Sequence, residues 1–276
     1  MISNLKDILM PAQDGGYAVA CFNVFGYEDA RAVVNAAEAR NASVILSINI
    51  DMRQFMPMEQ IIGMLRPMAE KARVPVCLHL DHTYEIDTVK EAVDTGFTSV
   101  MFDGSQLPIS ENITAIRDIV SYAHPKDTSV EAEVGSVPYA TGRDNIRSAL
   151  TEVIEAVAME EQGQPDALAI SIGNVHRLED RSVAIDLDRF TELEKALSLP
   201  LVIHGASGLE NKEIQIMASR QVAKFNVGTI LRKTFGNSLR TTLKSDLDLF
   251  DRITIMQQVI PDMRTTASKI IRLLGQ

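Results

Sequence analysis

Eight times along the chain a short, nearly unbroken run of Val, Ile, Leu, Ala and Phe gives way to a longer stretch with its own pattern. In those longer stretches apolar residues return every third or fourth position. An apolar run of this length without alternation marks a strand buried on both faces. The 3.6-residue period marks a helix with one side against a core. The runs fall at residues 17–24, 43–50, 74–83, 97–103, 128–134, 166–173, 199–204 and 222–227. Helical spacing is seen at 28–40, 58–72, 86–94, 110–123 and 146–162. A first amphipathic segment holds Leu5, Ile8 and Leu9, and from Phe235 onward the pattern is helical apart from the acidic stretch 246–251. Gly96 stops one helix, and the Gly-, Pro- and Thr-bearing stretch 135–144 reads as a mobile loop.

Strands that alternate with helices are expected to run parallel, each helix being the crossover to the next strand. Eight such units within 276 residues fit a closed barrel better than an open sheet. The predicted fold is therefore α/β: a (β/α)8 TIM barrel forming one domain over residues 1–276, with extra C-terminal helices.

In such barrels the active site lies at the C-terminal rim, where the ends of different strands meet. Asp81, His82, Asp103, Glu131, His176, His204 and Asn226 all fall at or just past strand ends. A histidine closing a buried strand is commonly structural, bonded to a nearby carbonyl. Here, though, three of the chain's five histidines share that placement. Neutral imidazole is a common zinc ligand, and a catalytic zinc takes three protein ligands and keeps one position for water or substrate. By alternation His79 faces away from His82, so His82, past the strand, is the expected ligand and His79 a packing or supporting residue. Glu131 and Glu133 share one side of their strand, which calls for a cation nearby. Lys224, the one lysine at an inner strand position, reads as structural or ion-paired.

Composition narrows the class. With 46% hydrophobic and 23% charged residues the chain is that of a globular enzyme, and a net charge of −10 argues against nucleic acid as a partner. Cys21 and Cys77 sit inside apolar runs without metal or redox spacing, as expected of a protein in a reducing cytoplasm. No apolar run approaches the roughly 20 residues of a membrane span, and the first residues do not open a signal peptide. No membrane partner is expected.

Gly205 to Gly208 after the seventh run and Gly228-Thr229 after the eighth offer clustered backbone N–H groups. Barrels frequently bind phosphate there. The stretches 21–24 (CFNV), 79–82 (HLDH), 99–105 (SVMFDGS), 130–135 (VEAEVG), 169–173 (AISIG) with His176, 201–208 (LVIHGASG) and 224–227 (KFNV) together make a specific set. In that order the chain resembles the class II, metal-dependent ketose-bisphosphate aldolases, in particular the fructose- and tagatose-bisphosphate branch.

The resemblance implies a carbohydrate-metabolising, glycolysis-type lyase that reversibly cleaves a phosphorylated ketose to dihydroxyacetone phosphate and an aldehyde. It implies a catalytic Zn2+ on His82, His176 and His204, Asp81 as the proton donor and acceptor at the C4 hydroxyl, and Asn226 beside the reacting carbons. Asp103 and Glu131 would form an alternative metal position. Asn23, Gly205, Ser207, Asn226 and Thr229 would hold the substrate and its phosphate, with a monovalent cation (Na+ or K+) near it. A homodimer or homotetramer is the implied assembly. The chain departs from the pattern of many members at Thr83 and Arg177, and of some at Ala206, where they have glycine. It also lacks the loop glutamate after Gly135, leaving Asp144 as the nearest carboxylate, and the C-terminal Asp-Pro-Arg. These departures motivate an alternative: the same scaffold with changed substrate or proton-transfer chemistry, acting on a sugar or sugar phosphate that is not a bisphosphate.

Overall fold

The computed structural model describes residues 1–140, 148–178 and 183–276. Its strands are β1 (Ile2–Ser3), β2 (Val19–Asn23), β3 (Val44–Ile48), β4 (Val76–Leu80), β5 (Ser99–Phe102), β6 (Ser129–Val134), β7 (Ala167–Ile170), β8 (Leu201–Ile203) and β9 (Val222–Val227). All pair in parallel. β2 to β9 close a ring in sequence order, β9 returning to β2 and β5 to β4, so the eight-stranded barrel with outer helices predicted from the alternation is the fold. β1 was not foreseen. It pairs with β4 at Val76 and Cys77, below the point where β4 first meets β5 at His79 and Ser99, and fills the gap where those two strands have splayed.

The barrel has an apolar end and a polar end. Towards the N-terminal ends of the strands Val19, Cys21, Ile45, Cys77, Met101, Ala167, Ala169 and Val202 point inward, and helix Leu5–Gly15 closes that end with Leu5, Ile8, Leu9 and Ala12. Asn4 caps this helix by accepting from the Asp7 N–H, and Gly16, at φ 65, ends it. Each fully buried aliphatic side chain contributes about 1.5–3 kcal/mol, so the plug's three large ones fix the helix firmly. Towards the other end the inward positions turn polar: Asn23, Ser47, His79, Glu131, Glu133, Lys224 and Asn226 are all buried or nearly so, as is Ser99 at the start of β5. Outward positions of the same strands pack under the surrounding helices as the larger core.

One irregularity decides what that polar layer contains. Leu201 pairs with Val222 but its neighbour Val202 pairs with Lys224, so Ala223 is an extra residue, a β-bulge. Val222 faces outward and Ala223 inward; without the bulge Phe225 would come next inside. With it, Lys224 and Asn226 enter the barrel and Phe225 joins the outer core.

Three element boundaries differ from the sequence expectation. The run 43–50 stops at Ile48, because the Asn49 side chain accepts from the Met52 N–H and starts helix Ile50–Phe55. The helix expected at 146–162 begins only at Val153. Ala149 instead bridges Ser136, and the Thr151 hydroxyl donates to the Val134 carbonyl and accepts from the Ser171 N–H, holding the chain extended across the rim. The C-terminal helical region starts at Thr229 rather than Phe235, running as helices Thr229–Ser245 and Arg252–Leu273 on either side of the acidic stretch. Among the described residues no helix is long and apolar enough to cross a membrane.

Lys224 and Glu131 are both fully buried, with Nζ 2.8 and 3.0 Å from the two carboxylate oxygens. Removing one partner leaves the other charge uncompensated in the interior. Lys224→Met is therefore expected to lower unfolding free energy by about 3–5 kcal/mol. Adding Glu131→Gln should recover a large part of that loss in urea denaturation.

Candidate active site

Three imidazoles far apart in sequence meet at the C-terminal mouth. The ring of His82 lies 4.9 Å from that of His176 and 4.6 Å from that of His204, centroid to centroid. His82 Nε2 and His204 Nδ1 face each other at 2.8 Å. The other nitrogen of each ring is already engaged, His82 Nδ1 with Asp103 at 2.8 Å and His204 Nε2 with Glu131 at 2.9 Å. Protons on the engaged nitrogens leave two lone pairs aimed at one another, which is favourable only with a cation or a shared proton between them. His176 Nε2 is buried without a hydrogen-bond partner, and one ligand atom from each ring falls within 4.8 Å of the others. This donor set fits a divalent metal such as zinc.

Burial disfavours the charged form of His176 and, with His82 and His204 beside it, holds its pKa well below the usual value. His204 is lowered too, by burial first, so both rings offer neutral nitrogen. Burial also opposes charge on His82, but Asp81, Asp103 and Glu133 outweigh it and raise its pKa to about 9.

The carboxylates divide into separate tasks. Asp103 bonds His82, and Glu133 Oε2 lies 3.7 Å from the same nitrogen, so His82, Asp103 and Glu133 form a second cluster able to hold a cation. The expected pairing of Asp103 with Glu131 is corrected here: Glu131, one layer deeper, is held by Lys224 and His204. It is Glu133, read from the sequence only as sharing a side with Glu131, that stands with Asp103 beside His82. Burial and the neighbouring Asp103 push Glu133 well above the usual carboxylate range. Glu131 is lowered despite burial, chiefly by Lys224.

Asp81 sits at the centre of the mouth. Asn23 donates to its Oδ2 at 3.1 Å and Asn226 to its Oδ1 at 3.2 Å. Burial opposes its charge, but His82, His204 and Lys224 keep it ionised, well below the usual carboxylate range. It is thus a fixed, negatively charged base next to the imidazole cluster. His79 does not join that cluster; its Nδ1 bonds Ser99 at 2.8 Å, and burial lowers its pKa to about 3. His124 pairs with Asp166 before β7, at the opposite end of the barrel.

A cavity of about 300 Å³ opens beside the imidazoles, lined among others by Asn23, Asp81, Gly205, Ser207, Asn226 and Thr229. Gly205 takes φ 69, and a Cβ there would lie 2.4 Å from the Val175 carbonyl oxygen. The turn Ala206–Gly208 and the N-terminus of the 17-residue helix Thr229–Ser245 face the same space, a setting that suits an anion. Arg177 follows His176 with φ 55, a left-handed conformation in a residue with a side chain. Its guanidinium donates to Asp51 at 2.8 Å.

The model of the family described as fructose-bisphosphate aldolase class-II matches residues 3–276. The chain belongs to that family. A solved structure of the YdjI aldolase from Escherichia coli K12 is 29% identical, with a TM-score of 0.88 over 100% of this chain and 98% of its own. At 24% and 22% identity two further structures share the fold. They are a putative fructose-1,6-biphosphate aldolase from Coccidioides immitis (TM-score 0.86, 99% of this chain and 96% of that one) and fructose-bisphosphate aldolase from Campylobacter jejuni (TM-score 0.85, 99% and 95%).

Class II aldolases are in general metal-dependent, and the buried His, Asp and Glu clusters of this chain accord with that. Asp144, the nearest carboxylate on the loop, lies outside the described residues. Two residues beside the imidazoles carried no signal in the sequence. Tyr139 stacks on His176 at 4.4 Å, and Asn174 donates to the His204 carbonyl at 2.8 Å, tying two of the imidazole-bearing loops together. Both lie in irregular stretches, where neither periodicity nor strand-end position marks a residue.

Two left-handed positions on this rim should respond oppositely to substitution. Arg177→Gly removes backbone strain of about 1 kcal/mol or more but loosens the unfolded chain, leaving stability within about 1 kcal/mol of the parent. Gly205→Ala both strains the backbone and meets the Val175 carbonyl, for an expected loss above about 2 kcal/mol in thermal denaturation.

Proposed function

We propose that this protein is a zinc-dependent aldolase that reversibly cleaves a phosphorylated ketose to dihydroxyacetone phosphate and an aldehyde. The observation that carries the proposal is the facing pair of imidazole nitrogens, His82 Nε2 and His204 Nδ1, with the unpartnered His176 Nε2 beside them and the ionised Asp81 adjacent. His82, His176 and His204 would hold the ion. When bound, it supplies Lewis acidity that stabilises the negative charge developing on the ketose as the C3–C4 bond breaks, worth several kcal/mol.

The chain's own residues do the rest. Asp81, held by Asn23 and Asn226, takes the proton of the C4 hydroxyl during cleavage and returns it during condensation. Gly205, Ser207 and Thr229 cradle the triose phosphate with neutral N–H groups, which suits a chain of net charge −10 that has to hold an anion. A monovalent cation near that phosphate belongs to the same proposal, as does a cytoplasmic setting. Lys224 is not the nucleophile of a Schiff base. It is buried in its pair with Glu131, and although burial opposes its charge, Glu131 and Asp81 keep its pKa above the usual lysine range.

Assembly into a homodimer or homotetramer is also proposed, supported by Leu247, Phe250 and Ile253, which are 89%, 91% and 68% exposed around the turn between the last two helices.

Two outcomes test the reading. Chelation should abolish triose phosphate release from fructose- or tagatose-1,6-bisphosphate, and zinc or cobalt should restore it, with borohydride having no effect. Asp81→Asn should bind zinc with the parent's stoichiometry by atomic absorption while losing about 10²–10⁴-fold in kcat. Turnover that survives chelation would refute the reading.

A further inference from the structure

Above the imidazoles the mouth of the barrel carries a second polar feature that the cleavage chemistry does not use. In the ring of strands β3 and β7 stand opposite one another. Arg177, past β7, reaches Asp51, past β3, so their 2.8 Å ion pair spans the mouth. Arg232, from the helix that opens at Thr229, lies 3.9 Å from the same Asp51 oxygen. Both arginines line the cavity, and Asp51 does not. Two guanidiniums therefore share one carboxylate, and their side of the cavity has a surplus of positive charge.

Each guanidinium also has an aromatic platform, Arg177 at 5.5 Å from the Tyr139 ring and Arg232 at 4.8 Å from the Phe25 ring. Such stacking holds the planar face and leaves the N–H edge free for a bidentate acceptor. The Asp51 side chain is 38% exposed and that of Arg177 32%, so their pair is a solvated one that a competing anion displaces at little cost. Arg177 keeps its side chain at φ 55, where glycine would be free of strain. A strained residue beside a functional cluster points to what its side chain does.

Building on the aldolase reading above, we propose that Arg177, supported by Arg232, reads an anionic group at the end of the ketose remote from the triose phosphate. Asp51 holds the guanidinium in place until substrate arrives. The aldehyde half of the substrate then carries a carboxylate or a phosphate.

The test is condensation of dihydroxyacetone phosphate with three aldehydes of matched length: glyceraldehyde, glyceraldehyde 3-phosphate and tartronate semialdehyde. The parent should prefer one charged aldehyde over glyceraldehyde by about tenfold or more in kcat/KM, and which one identifies the group. Arg177→Gln and Arg177→Gly should bring that aldehyde down to the level of glyceraldehyde, with KM for dihydroxyacetone phosphate as in the parent. The melting temperature of the glycine variant should stay within about 4 °C of the parent's. Asp51→Asn, by removing the competing carboxylate, should widen the preference.

The proposal is overturned if the parent shows no preference for charge, if the preference survives in both Arg177 variants, or if Asp51→Asn abolishes it. A rise in KM for dihydroxyacetone phosphate with every aldehyde would also overturn it, assigning Arg177 to the triose phosphate. Calorimetric titration with fructose 1-phosphate and fructose 1,6-bisphosphate reads the same subsite without turnover. A bisphosphate advantage that Arg177→Gln erases sustains the proposal even where no aldehyde condenses, an outcome that counts against the aldolase reading alone.

Discussion

Fully buried inside the barrel, the ammonium of Lys224 and the carboxylate of Glu131 neutralise one another, and the polar layer is organised around them. Glu131 stays ionised because of Lys224, and an ionised Glu131 accepts the Nε2 proton of His204. That fixes which nitrogen of His204 carries a lone pair and where it points. Asp103 does the same for His82 from the other side. The opposed arrangement of the imidazoles therefore depends on a relay of charge that begins beneath it. Loops alone would not hold two imidazole lone pairs in opposition, since nothing in them resists the rings turning apart.

The polar layer rests in turn on the apolar one. Helix Leu5–Gly15 and the small inward residues Ala167, Ala169 and Ala223 close the lower half of the barrel, so the charged groups above face only one opening. Around that opening the residues separate by function. Neutral glycine and serine N–H groups, the imidazoles with Asp81, and guanidiniums with their aromatic platforms all line it.

Most of the barrel was legible in the sequence because its strands are buried on both faces and so appear as uninterrupted apolar runs, which their polar ends terminate. His82, His176, His204 and Asp81 could be located for that reason. What stayed hidden had physical causes. Asn49 looks like the tail of a strand until its side chain is seen capping a helix, and Ser148 to Thr151 look helical until Thr151 is seen bonding two strand ends. Alternation placed Glu131 and Glu133 on one side, but it carries no information on depth, and depth separates the partner of Lys224 from the neighbour of Asp103.

The extra residue at Ala223 has a consequence for how such chains vary. A strand has only two faces, so inserting or deleting one residue exchanges every side chain beyond that point between them. Were the same residues to alternate without the bulge, Phe225 would point where Lys224 and Asn226 now do, turning a polar chamber into a greasy one, whereas loss of Ala223 itself would leave Lys224 opposite Val202 and both polar residues inside. Chemistry in this fold is thus held by parity as well as by residue identity: one residue inserted between Lys224 and Phe225 would turn Asn226 out of the chamber with every side chain of the set still present.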